Sequence, residues 1–336
     1  MYYKKSELFE KEENGIKCLA CNFKCIIPDG GFGRCKIRYN KGGNLFVSYN
    51  YISSYGFDPV EKKPVYHFLP GGLTFSFGMY GCNFRCLCCQ NWEISQEIKK
   101  GYHISSDEIV KLAYENDVKI FVSTYNEPTI TIEWAFEIFE KAKKKIKDAK
   151  TGFVSNGYLS TESINYLGEN IDFIRVDFKS FNKEKYKDLT GGADLNKLLY
   201  MIEEIYKRKI HLELVTLIIE DFNDSESEIK NMAEYIKSIS PSIPWHLTRF
   251  HPAYKMSDKK QTSIDKIEKL IKIAKDCGIF YIYGGNYITN NLHTFCPDCG
   301  KILIERSYMN LRKNYLSIKN GKGYCPYCGF EIYGVF

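Results

Sequence analysis

No apolar run in this chain approaches the ~18 residues that a membrane-crossing helix needs. Residues 1–15 are charged where a secretory signal would carry an apolar core. Low-complexity stretches are absent too, and neither sign of charge dominates: 47 Lys and Arg against 41 Asp and Glu leave a net charge of +6. That balance permits anionic partners but does not demand nucleic acid. The lysines of 141–150 read as a solvated helix face. With 44% hydrophobic and 15% aromatic residues the chain is folded, not disordered. Its 336 residues suit one large domain with small appendages, and the expected location is cytoplasmic. An odd count of 13 cysteines excludes a closed disulfide framework.

What the chain does have is clustered cysteine. All but Cys277 fall into three tight groups, a pattern of metal binding in a reducing compartment. The first is Cys18-x2-Cys21-x3-Cys25-x9-Cys35, with Gly30, Gly31 and Gly33 allowing the backbone to turn back before the last ligand. It suits zinc or an auxiliary iron–sulfur cluster. The last group is a pair of repeated units, Cys296-Pro-Asp-Cys299-Gly and Cys325-Pro-Tyr-Cys328-Gly. Four thiolates so arranged favour zinc, with iron as the alternative. No dense basic and aromatic patch surrounds them to suggest nucleic-acid binding.

The middle group carries the chemistry. Cys82, Cys86 and Cys89 stand in a C-x3-C-x2-C spacing directly after an apolar run, 73–80, that reads as a strand. An ordinary electron-transfer cluster takes four cysteines. Three ligands leave one iron of a 4Fe–4S cube open to a small molecule. Cys88 allows an alternative set with Cys82 and Cys86, or is a spare thiol packed beside the cluster. An open cluster is oxygen-sensitive, so an anaerobic host is expected.

From 73 onward, short apolar runs (73–80, 118–124, 151–155, 172–178, 210–219, 243–250, 279–283) alternate with amphipathic stretches such as 105–115, 130–147, 161–167, 193–207 and 225–238. Ser106 and Ser225 look like helix caps. Repeated strand–helix units predict a parallel sheet, either a full or partial β/α barrel or an open doubly wound sheet. In both, ligands bind at the carboxyl ends of the strands. The expected division is an N-terminal cysteine-containing region (1–70), a barrel (71–290) and a zinc-ribbon-like tail (291–336).

Several strands end in polar motifs. Tyr125-Asn126-Glu127-Pro128 offers a carboxylate and backbone carbonyls that suit an ammonium, although a plain turn would look the same. Ser155-Asn156-Gly157 could reach a ribose, or be an ordinary turn. Asp177 and Lys179 share a face by strand alternation, as a ligand-positioning pair or as a surface ion pair. Among the residues ending the sixth strand, His251 is a better ligand-contact candidate than His246.

Taken in order, these motifs resemble the radical S-adenosylmethionine (SAM) enzymes related to pyruvate formate-lyase activating enzyme. More closely, the chain resembles the radical SAM proteins of the AmmeMemoRadiSam system. The resemblance also covers residues 58–70 and 283–286. It implies an α/β fold: a partial TIM-type barrel of the radical SAM kind with small N- and C-terminal cysteine-rich metal-binding appendages. By the same resemblance, Cys82, Cys86 and Cys89 hold a 4Fe–4S cluster. Tyr125, Asn126 and Glu127 contact the SAM amino group, Ser155 and Asn156 face its ribose, and Asp177, Lys179 and His251 complete the site. The implied activity is reductive cleavage of SAM to a 5′-deoxyadenosyl radical that abstracts hydrogen from a protein residue, a small metabolite or nucleic acid. A non-enzymatic metal-binding module is the competing reading. Implied partners are an electron donor such as ferredoxin or flavodoxin, and AMMECR1-like and Memo-like proteins. Cys88 departs from relatives, which place an aromatic or aliphatic residue there. The two added cysteine regions weaken the inference that the substrate is a glycyl-radical enzyme.

Overall fold

The computed structural model describes residues 2–99 and 101–336. Eight strands form one sheet and neighbour one another in chain order: β1 (Ser54–Pro59), β2 (Leu73–Gly78), β3 (Ile120–Ser123), β4 (Lys150–Ser155), β5 (Phe173–Asp177), β6 (His211–Ile218), β7 (Trp245–Arg249) and β8 (Ile282–Gly285). β1 runs antiparallel to β2. From β2 to β8 every ladder is parallel. Among the described residues no ladder joins β8 to β1, so the barrel stays open. The run of apolar residues in each strand follows from burial on both faces of a parallel sheet; β3, for example, is buried at all four positions.

The helices between the strands are α1 (Ser106–Glu115), α2 (Ile132–Lys145), α3 (Thr161–Leu167), α4 (Lys183–Thr190), α5 (Leu195–Lys207), α6 (Glu226–Ile239) and α7 (Ile264–Asp276). Ser225 caps α6 as expected, accepting from the Glu228 amide. For α1 the cap is Ser105, one residue before the expected Ser106, because Glu108 completes a reciprocal capping box with it.

The division at residue 70 does not match the sheet. Ser54–Pro59 is already a barrel strand, and one core runs continuously from Leu8 through Ile52 to Tyr287. The buried Arg38 guanidinium donates to the Glu133 carboxylate on α2 (2.8 Å) and to Ser6 (3.1 Å), fastening the N-terminal sheets to the barrel. At the other end, Leu303, Ile304, Cys296 and Cys325 share a core with Tyr66, Tyr281 and Tyr283.

Residues 60–70 cross the amino-terminal ends of the strands, held by one carboxylate. Glu213 is fully buried. It accepts from the Tyr66 and His67 amides (2.9 and 2.7 Å) and meets His211 and His246 at 3.0 and 2.8 Å. Burial pushes its pKa up, but the hydrogen bonds from both histidines outweigh that and hold it well below the ordinary value. His67 lies between the Tyr333 carbonyl and the Tyr283 hydroxyl, each at 2.6 Å. Donation from Nδ1 to the carbonyl leaves Nε2 to accept from the hydroxyl, so the ring is neutral. Burial lowers its pKa from 6.5 to about 3. Both depressed values act in one direction. The unfolded chain takes up these protons first, so stability is complete above pH 6.5 and declines below it, by at most about 1.4 kcal/mol per pH unit per site. Denaturant titrations at pH 7.5, 6.0 and 5.0 should show the decline, and His67→Gln should flatten it between pH 6.5 and 5. An unchanged slope would remove His67 from this account.

Candidate active site

The chain leaves β2 through a turn at Gly81, where φ is +86° and a Cβ would lie 2.6 Å from the Cys35 carbonyl oxygen. Only glycine meets both demands. The loop that follows is pinned by backbone bonds from Gly81 to Ile94 (2.8 Å), from Arg85 to Thr190 (2.8 Å) and from Leu87 to Leu189 (3.1 Å). Gly81→Ala is therefore expected to open this loop sharply to protease while the far-end tyrosine cluster stays folded. Limited proteolysis and near-UV circular dichroism would check both.

Cys82, Cys86 and Cys89 line one cavity of about 480 Å³ at the carboxyl ends of the strands. Burial raises the Cys82 and Cys86 thiols, Cys86 to about 12 although the Lys179 ammonium pulls it the other way. The three sulfurs do not all lie within 4.8 Å of one another, a spacing too wide for a single tetrahedral ion. Cys88 reaches the same cavity but packs among Leu189, Ile219, Phe250 and Met256, the environment of a spare buried thiol.

The cavity wall gathers most of the residues expected from the sequence: Tyr125, Asn126, Glu127, Ser155, Asn156, Asp177 and Lys179. Asn126 accepts from the Met79 amide (3.1 Å) and donates to the Gly81 carbonyl (2.9 Å), so it fixes β3's end to the cysteine loop. Tyr125 sits at φ +70°, and its carbonyl accepts from Asn91 (2.8 Å). Glu127 accepts from the Thr129 amide (3.1 Å), Ser155 Oγ (2.8 Å) and the Asn156 amide (2.8 Å). Burial still raises its pKa, and among the described residues no side-chain cation pairs with it. A buried carboxylate in that state favours a cationic ligand. Asp177 pairs with Arg175 and, at 2.8 Å, with Lys179. Burial opposes its ionisation, but the two cations win and lower its pKa. Arg175 is buried and Asp177 and Lys179 are half-buried, so the triad belongs to the cavity wall and not to the outer surface.

His251 is not brought to the cavity. Its ring faces Gln261, with Nδ1 2.5 Å from Nε2 of the amide, and Thr248 and Asn286 form the wall on that side. Sequence reasoning passed over Lys62, Lys63 and Arg175, which also line the cavity. Lys63 is buried and pairs with Asp58 at 2.9 Å. The signal for the two lysines was a doublet held by an acid four and five residues earlier, in a segment with no strand–helix pattern.

The C-terminal cysteines form twin knuckles. Gly300 and Gly329, both at positive φ, donate back to the carbonyls of Cys296 and Cys325 at 3.0 and 2.9 Å. The four sulfurs lie within 4.8 Å of one another, with Cys296–Cys328 at 3.5 Å and Cys299–Cys325 at 3.6 Å. A tetrahedral ion with ligands at about 2.3 Å needs sulfurs about 3.8 Å apart. Burial pushes the Cys325 thiol up, but the Tyr327 and Cys328 amides and nearby thiols outweigh it and bring the pKa down to about 7. The N-terminal cysteines, Cys18, Cys21, Cys25 and Cys35, line a separate small cavity.

Among proteins of known sequence, the chain is 32% identical to the uncharacterized protein MJ0808 of Methanocaldococcus jannaschii, over 99% of this chain and 98% of that one. It is 29% identical to a putative glycyl-radical enzyme activating enzyme, MJ1227, of the same organism, over 59% of this chain and 82% of that protein. The crystal structure of a domain of pyruvate-formate lyase-activating enzyme from Bacteroides vulgatus aligns with a TM-score of 0.43 at 17% identity, covering 49% of this chain and 98% of that one. Residues 77–236, which hold the three-cysteine loop and the polar ends of β3 to β5, match the Radical SAM superfamily. The chain thus carries a radical SAM domain related to the glycyl-radical activating enzymes, and it belongs to one family with MJ0808.

Proposed function

We propose that this protein is a radical SAM enzyme whose Cys82, Cys86 and Cys89 hold a 4Fe–4S cluster with one iron left open for SAM. When bound, that cluster supplies one electron for reductive cleavage of SAM, and the resulting 5′-deoxyadenosyl radical takes hydrogen from a substrate. The observation that carries this reading is the composition of the cavity: Cys82, Cys86 and Cys89 line it together, while Cys88 beside them packs among Leu189, Ile219, Phe250 and Met256.

The chain's own residues then have separable tasks. Glu127 offers a buried, cation-free carboxylate for the SAM ammonium. Ser155 and Asn156, each donating to Glu127 at 2.8 Å, present small polar groups for the SAM ribose beside it. The Arg175–Asp177–Lys179 triad fixes a positive charge beside Cys86 and Cys88, where it offsets the negative charge of ligated thiolates. The barrel walls exclude water from a reactive species. The C-terminal quartet holds zinc and braces the barrel's amino-terminal end.

Hydrogen abstraction from a protein residue is our preferred reaction, in keeping with the activating-enzyme relatives. A small anionic metabolite is the second reading. Lys62, Lys63 and Arg175 support it, since the Arg175 Nε is buried without a partner. We also propose membership of the AmmeMemoRadiSam system, with a ferredoxin or flavodoxin as donor and AMMECR1-like or Memo-like partners. Anaerobic reconstitution with iron and sulfide, then dithionite and SAM, should yield 5′-deoxyadenosine from the wild type and none from Cys86→Ala. Equal product from both would reject the ligand assignment.

A further inference from the structure

We propose that Cys18, Cys21, Cys25 and Cys35 bind an iron–sulfur cluster, not zinc, and that this cluster passes single electrons to the Cys82–Cys86–Cys89 site through Asn83. The first half stands on the N-terminal region alone; the second rests on the radical SAM reading.

The four cysteines line one small cavity with Gly33, Arg34, Arg38 and Asn83, and none of them is in a disulfide. Cys18, Cys21 and Cys35 are buried. The chain contains its own reference for a single-ion site, because the C-terminal sulfurs converge to 3.5–3.6 Å. Among the described residues that quartet is the only group of three or more candidate ligands so close, and no three of the N-terminal sulfurs lie within 4.8 Å of one another. Zinc–sulfur bonds of about 2.3 Å cannot span such a gap, whereas a core of several irons and bridging sulfides can.

Asn83 connects this cavity to the active site. Its Oδ1 lies 3.7 Å from Cys82 Sγ and accepts from Asn156 Nδ2 at 2.8 Å. Its amide nitrogen is buried without an acceptor, and Asn83 lines the N-terminal cavity together with Cys21. A donor left waiting beside a ligand sulfur is what an iron–sulfur site uses to set its potential. Arg34, which lines the N-terminal cavity, donates to the Asn83 carbonyl at 2.8 Å. One side chain and one guanidinium therefore span the two cysteine groups. With four ligands and no share in the larger cavity, the N-terminal cluster has no open iron for substrate, which leaves electron transfer as its chemical use. The balance is one electron in and one out. A low-potential ferredoxin or flavodoxin is oxidised as the N-terminal cluster is reduced. That cluster is reoxidised as the site cluster is reduced, and no bond or proton moves.

The test uses the full chain reconstituted anaerobically. Cys82→Ala/Cys86→Ala/Cys89→Ala, which removes the site ligands, should retain iron, acid-labile sulfide and a reducible EPR signal. Adding Cys21→Ala should abolish all three, with zinc unchanged at one per chain. A triple variant without iron, or with a second zinc, would overturn the cluster assignment whatever the SAM chemistry does. For the relay, Asn83→Leu and Arg34→Gln should each slow reduction of the site cluster about tenfold in stopped-flow, at unchanged iron content. Wild-type rates in both would overturn the relay alone.

Discussion

Arg306→Ala is expected to cost about 3–5 kcal/mol of stability, the largest single-residue effect outside the cluster ligands. Arg306 and Glu61 are both fully buried, with Nε and Oε1 3.6 Å apart. The guanidinium also donates to the carbonyls of Tyr66 (2.6 Å) and Leu292 (3.1 Å) and to Thr294 Oγ1 (2.9 Å), and it lies over the Tyr66 ring at 4.3 Å. It ties the C-terminal ribbon to residues 60–70 and so to the barrel. Its loss leaves the Glu61 carboxylate in the interior, where burial already raises its pKa. The double variant Arg306→Met/Glu61→Gln should recover much of the loss, because neither buried charge then lacks its partner. Equilibrium denaturation measures both. A cost below about 1 kcal/mol for the single variant would mean the pair behaves as a surface contact.

Asp177→Asn is expected to weaken SAM binding about 100-fold, the scale of a broken buried charge pair. The carboxylate opens onto the cavity but lies deep in the protein, between Arg175 and Lys179. Without it, two cations repel in the wall, and Lys179 loses the partner that holds it at 2.8 Å. Isothermal titration of the reconstituted protein with SAM would read the change. Unaltered affinity would place the triad outside the binding site.

Much of this site was legible in the sequence because each part is local. The cysteine spacing, the Asn126–Glu127 corner and the Asp177–Lys179 alternation are patterns within a few residues. The sheet alone then carries them to one cavity, since β2 to β8 are parallel and in chain order. What the sequence hid is non-local. Glu213 gives no sign that it collects two histidines and two amides from residues 66–246. Lys63 enters the cavity from a segment without periodicity, and Asn83 reads as a spacer between cysteines although it lines the N-terminal cavity and lies 3.7 Å from Cys82 Sγ. The short helix α4 was hard to see because Lys183–Thr190 is mostly polar. The expected boundary at 70 failed for a related reason: the edge strand Ser54–Pro59 contains Gly56 and ends in proline, a composition that suits an antiparallel edge and hides a barrel strand.

The central claim is an iron left open for SAM inside the three-cysteine cavity. The most direct measurement is the EPR spectrum of the dithionite-reduced protein with and without SAM, recorded for the wild type and for Cys86→Ala. The account expects SAM to alter the wild-type spectrum and to leave that of the variant unchanged. A wild-type spectrum indifferent to SAM, with iron and sulfide fully incorporated, would contradict it.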